Sequence, residues 1–221
     1  MKYIYAPGCA LMLYDRELAE LLKKKIEKRY TLADTRYMCC LDAETPDKDT
    51  AIITTCTYCH THYRTIQPDA PHVFFLEDLA ESGDFDFPDY GGAEMSIHDT
   101  CSGRADDRYL NTVRKLLQRM NIRVTEPERS GKRGICCGSS LYGRLPIEKV
   151  TEFMKKRADQ MPCEDVVVYC PTCVQSIAIG GKRPRYILDL LFGRETSPSV
   201  GSGDSIDEWK KDLGKYREEN R

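Results

Sequence analysis

Cysteine is the residue whose number and order in this chain could do chemistry. Ten of the eleven cysteines fall into two series with one grammar: a single cysteine, an adjacent pair, then a CxxC. The first series is Cys9, Cys39-Cys40 and Cys56-x-x-Cys59; the second is Cys101, Cys136-Cys137 and Cys170-x-x-Cys173. Cys163 is left over and reads as a non-ligand. An odd count does not suit a fully paired disulfide framework, so metal binding or thiol redox chemistry is favoured. Four thiolates hold a cubane iron–sulfide cluster or a structural zinc, whereas each series here offers five. Neighbouring side chains on extended backbone point to opposite sides, so the vicinal pairs suit a more open cluster better than one compact cube. Gly138, directly after the second pair, lets the backbone come close to such a group without a Cβ.

Histidines add a second set of candidates. Cys56-x-x-Cys59-His60-x-His62 supplies soft and borderline ligands beside Cys39 and Cys40, so zinc is the alternative to a cluster at the N-terminal site. His60 and His62 read as donors to a ligand sulfur or as exposed polar residues. His98, three residues before Cys101, reads either as a proton source for a departing thiolate or as a structural histidine. His72 carries no signal. The basic run 180–185 reads as a solvated loop, or as a site for an anionic substrate or partner.

The elements that must position these residues repeat as the cysteines do. A short β-rich run reaches the first cysteine of each series: Tyr3-Ile4-Tyr5, and Met95 to His98. A helical stretch follows, with Leu11, Leu18, Leu21, Leu22 and Ile26 in one half and Tyr109, Leu110, Val113, Leu116, Leu117 and Met120 in the other. Ala51-Ile52-Ile53 and Val166 to Tyr169 read as buried strands before each CxxC. Val73–Leu79 and Arg185–Leu190 close the halves with the same Asp-Leu ending. Between the adjacent pair and the CxxC lie 15 residues in the first half and 32 in the second. The longer connection contains a helix by pattern, Ile147–Gln160, with Pro146 near its start. Alternating strands and helices predict an α/β architecture with mainly parallel strands. Beyond Gly193 the composition turns polar, and Trp209 is the single anchor in a segment read as a frayed tail or a docking peptide.

Composition limits the function classes. A net charge of −2 over 221 residues gives no general attraction for nucleic acid, and no apolar run is long enough to span a bilayer. Residues 1–10 lack the features of a signal peptide, which leads to the expectation of a cytoplasmic location.

Gly8-Cys9, Cys39-Cys40, Cys56-x-x-Cys59, Cys101, Cys136-Cys137-Gly138 and Cys170-Pro171-Thr172-Cys173 together resemble the cysteine-rich CCG domain of the heterodisulfide reductase B-type proteins and their relatives. These include iron–sulfur components of lactate-utilisation and glycerol-3-phosphate oxidation systems. The resemblance covers residues 1–193. It implies two pseudo-repeated CCG half-domains with flanking helices, over 1–90 (a compressed copy) and 91–193; the segment 194–221, read from its composition as a polar, flexible tail, lies outside it. It also implies that each five-cysteine set binds a noncubane 4Fe-4S cluster, with Gly8 and Gly138 lining the cofactor and the two clusters facing one another. The implied activity is disulfide reduction: a small-molecule disulfide is cleaved to two thiols, with His98 as a catalytic candidate. Electrons would come from an iron–sulfur donor subunit or a ferredoxin-like protein. The alternatives are a non-catalytic electron-transfer subunit of a larger oxidoreductase and a zinc-stabilised binding module. The first pair departs from the family pattern in being followed by Leu41 rather than a small residue.

Overall fold

In the computed structural model residues 1–38 and 49–220 are described; Cys39, Cys40 and Leu41 lie outside them. The chain divides into two units, Met1–Glu81 with Asp212–Arg221, and Ser82–Lys211.

The first unit runs β1 (Lys2–Ala6), α1 (Cys9–Tyr14), α2 (Arg16–Glu27), β2 (Leu32–Thr35), β3 (Thr50–Thr54), α3 (Thr57–Ile66), β4 (His72–Phe74) and α4 (Phe75–Glu81). Every residue of β3, TAIIT, is buried, as a strand covered on both faces requires. The helical stretch expected from Leu11 to Ile26 is divided at Asp15, whose backbone is extended and whose carboxylate accepts from the Leu18 N–H at 2.9 Å. That N-cap starts α2 afresh. Leu18, Leu22 and Ile26 then form its buried stripe, while Leu21 stays exposed.

The second unit runs β5 (Glu94–Ile97), α5 (Asp107–Arg119), β6 (Arg123–Thr125), α6 (Ile147–Asp159), β7 (Asp165–Val168), α7 (Pro171–Ile179), β8 (Arg183–Tyr186) and α8 (Ile187–Leu191). A last helix, α9 (Asp207–Glu219), begins in this unit, and its residues from Asp212 onward belong to the first. The segment read as a polar tail therefore contains a helix. Ile206 and Trp209 are buried at 0% and 3% exposure, and burying a large ring is enough to order a short amphipathic segment.

Among the described residues each unit carries one four-stranded sheet, ordered β2-β1-β3-β4 and β6-β5-β7-β8. All the pairings are parallel, so the expected α/β architecture is present twice, in one topology. In each sheet the first connection leads to one side of the starting strand and the next crosses to the other. The strand order thus reverses between β1 and β3, and again between β5 and β7. Open parallel sheets bind their ligands in the crevice beyond the carboxyl ends of two such strands.

Candidate metal centre

The cysteines stand at these reversals. Cys101 lies four residues beyond β5, and Cys170 two beyond β7, where it caps α7. Cys173 follows on the first turn of that helix. Cys136 and Cys137 arrive from the long connection between β6 and α6. Side-chain contacts then link all five sulfurs in a chain, from Cys101 to Cys136, to Cys137, to Cys173 and to Cys170. Cys137 and Cys173 are buried, Cys136 and Cys170 are half-buried, and Cys101 is exposed. The set is anchored inside the unit and open at the Cys101 edge.

Negative charge is already provided for on two of these sulfurs. Cys136 is held far below the usual thiol range by hydrogen bonds from the Cys101 and Cys137 thiols and from Ser140. The Gly138 N–H also donates to it at 3.4 Å. Cys170 is lowered to about 7, first by the Cys173 thiol, with the Cys173 and Thr172 N–H groups at the start of α7 also donating to its sulfur. The neighbours carry the cost. The thiolate on Cys136 pushes Cys101 up and Cys137 up to about 12, and Cys173 is raised by Cys137 and Cys170. Five thiols packed this closely cannot all ionise against one another, and a bound cation relieves that repulsion. The donor set therefore fits a thiolate-held metal group.

His98 is fully buried at the same place. One of its ring nitrogens and the sulfurs of Cys137 and Cys173 lie within 4.8 Å of one another. Burial, followed by the charge of Arg157, lowers its pKa to about 4, so the ring is neutral near pH 7. Asp99 follows it, 0% exposed. Burial alone would raise the Asp99 carboxyl, but two bonds from Arg114 at 2.9 and 3.1 Å, the Gly131 N–H and the Tyr169 hydroxyl hold it below its usual value.

Gly138 has φ +102, and a Cβ there would lie 2.9 Å from Met154 Cγ and 3.1 Å from Phe153 Cδ1. Both residues are on α6, so the close packing of that helix, together with the left-handed backbone, requires glycine at this position. Cys163 stands apart from the five, its N–H donating to Ser96 Oγ at 2.8 Å.

In the first unit, Gly8 takes φ 86 and caps α1, which begins at Cys9. Cys56 caps α3 with Cys59 on its first turn, the same arrangement as Cys170 and Cys173 on α7. Cys59 packs with Ala6, Ile52 and Tyr63. Cys9 packs with Met38 and Leu213 and accepts from Arg217 Nε at 3.2 Å. Cys39 and Cys40 lie outside the described residues. His60 stacks on Phe74 at 5.4 Å and His62 on Tyr58 at 6.0 Å. His72 bonds the Gln67 carbonyl through Nε2 at 2.9 Å.

Two features of the site have no sequence motif. Trp209 donates from Nε1 to Thr172 Oγ1, between the two cysteines of the CxxC, at 3.1 Å. The regular spacing of Ile206, Trp209 and Leu213 was the available signal. The other is a cleft of about 620 Å³ lined by Arg104, Arg129, Lys132 and Arg133, with Glu128 among them. Ile135 in its wall directly precedes Cys136.

Residues 95–178 match the model of the CCG family, described as a cysteine-rich domain. A curated relative from Chromohalobacter salexigens, named a probable membrane-anchored ferredoxin, is 29% identical over 109 residues. The match covers 46% of this chain and 16% of that protein, so the chain spans a small part of the relative's length. Among the described residues no helix is long and apolar enough to cross a membrane.

Proposed function

We propose that this CCG-domain protein is an iron–sulfur redox protein of the heterodisulfide reductase B type, which cleaves a small disulfide into two thiols. The observation that carries the proposal is the unbroken chain of five contacting sulfurs at the strand-order reversal of the second unit. Cys101, Cys136, Cys137, Cys170 and Cys173 would hold one cluster of the noncubane 4Fe-4S kind. Such a cluster would supply one-electron storage for a two-electron cleavage.

The chain's own residues do the rest. Cys137 and Cys173 anchor the group from the buried side, and exposed Cys101 marks the edge open to a substrate. The N–H groups of Gly138, Thr172 and Cys173 stabilise negative sulfur without contributing charge of their own. Four cations against the single carboxylate of Glu128 line the cleft beside Ile135, and this positive balance favours the approach of an anionic sulfur compound. Cleavage consumes two electrons and two protons per disulfide, and the electrons come from an iron–sulfur donor protein.

Cys9, Cys39, Cys40, Cys56 and Cys59 would hold a second cluster, with zinc as the alternative there. The repeated topology supports this reading, as does the matching placement of the two CxxC motifs at a helix start. A second reading, an electron-transfer subunit that cleaves nothing itself, is supported by the ferredoxin name of the relative.

Full-length protein prepared without oxygen tests these readings by metal and sulfide analysis, paramagnetic resonance and reduction of 2-hydroxyethyl disulfide with reduced methyl viologen. About eight irons and eight sulfides per chain are expected, falling to about four of each in Cys137→Ser. Disulfide turnover supports the reductase. A loaded protein without turnover favours the electron carrier. Zinc alone overturns both.

A further inference from the structure

His98 follows β5 with one ring nitrogen accounted for and one not. Arg157 Nε donates to its Nδ1 at 3.3 Å. A guanidinium has donors only, so Nδ1 carries the lone pair and the ring proton sits on Nε2. Arg157 is itself fixed: it is 1% exposed and donates to the Arg129 carbonyl at 3.1 Å and to Gln160 Oε1 at 2.9 Å. His98 Nε2 is buried with no hydrogen-bond partner among the described residues. One ring nitrogen of His98 lies within 4.8 Å of the buried sulfurs of Cys137 and Cys173, and with Nδ1 taken by Arg157 we infer that the free N–H on Nε2 is the group available to them. A buried N–H without an acceptor is rare in folded proteins. Here two of the five cysteine sulfurs lie close to the same ring.

We propose that His98 is a fixed N–H donor to the sulfur of the group held by Cys137 and Cys173, and that Arg157 is the positioning residue that sets its tautomer. The inference rests on the cluster reading above. In this role the proton stays on the ring. It stabilises the more negative, reduced state of the group, because hydrogen bonds to cluster sulfur raise the potential. No ligand bond is assigned to the imidazole.

The test uses full-length, anaerobically loaded protein and a potentiometric titration followed by paramagnetic resonance. His98→Leu removes the donor at similar volume, and His98→Gln keeps an N–H. With iron content unchanged, H98L is expected to lower the midpoint by about a tenfold change in the one-electron reduction equilibrium, about 59 mV, and H98Q to restore most of it. Arg157→Met should shift the midpoint the same way, and the H98L/R157M double variant no further than H98L, since the two act through one contact. Nitrogen NMR of the metal-free chain should find the His98 proton on Nε2. A ring proton on Nδ1 overturns the proposal, as does an unmoved midpoint in iron-loaded H98L. Equal loss of iron from H98L and H98Q would make His98 a ligand and overturn it too. Wild-type protein without iron overturns the cluster reading together with this one.

Discussion

Asp99 carries none of the reactive sulfur, yet three segments meet on its buried carboxylate. Arg114 comes from α5, the Gly131 N–H from the loop before Cys136, and the Tyr169 hydroxyl from the residue before Cys170. Asp99→Asn keeps the shape but removes the charge that these donors share. We expect it to destabilise the metal-free protein by about 2 kcal/mol in urea unfolding. A larger loss is not expected, because Arg114 is 27% exposed and also pairs with Glu126 at 2.7 Å. This hub could not be read from the sequence. Its partners lie 15, 32 and 70 residues away, and no local periodicity joins them. The convergence of the second set of cysteines was legible for the opposite reason: it is written in residue type and in a spacing that occurs twice.

At the scale of elements, regular patterns were readable and special backbone was not. The helix predicted over Ile147–Gln160 is α6, Ile147–Asp159, since Pro146 and a charged face mark it locally. The closing segments Val73–Leu79 and Arg185–Leu190 each turn out to be the end of a strand running directly into a helix, β4 into α4 and β8 into α8. A short apolar run does not distinguish strand from helix. The glycine at 138 reads in the sequence as giving access to a cofactor, but the nearness of Met154 depends on a helix that begins nine residues further on. Gly138→Ala should cost about 1–3 kcal/mol, since it combines a strained left-handed backbone with a clash against α6. Thermal unfolding of the metal-free chain would measure that loss.

At the scale of the molecule, the two units share one strand order although their sequences differ most in the connection before the CxxC. The helix beyond residue 200 was hidden because its composition is charged and its apolar residues are few. The indole of Trp209 nevertheless fixes the CxxC of the second unit through Thr172. Trp209→Ala should destabilise that unit by about 3 kcal/mol, as expected for emptying a large buried site. Hydrogen exchange should show faster exchange in the first turn of α7, with β5 and β7 little changed. Equal exchange in both proteins would mean that the indole does not order the motif.

The packing of α6 on Gly138 also bears on how such chains diverge. The connection behind the first pair has 15 residues, and β3 takes five of them. Nine residues lie between Cys40 and the start of β3, against the 13 of α6 alone. Where no helix packs against the residue after the pair, this steric reason for glycine is absent. Across chains that carry this cysteine series twice, the residue after each adjacent pair should therefore covary with the length of the segment that follows it.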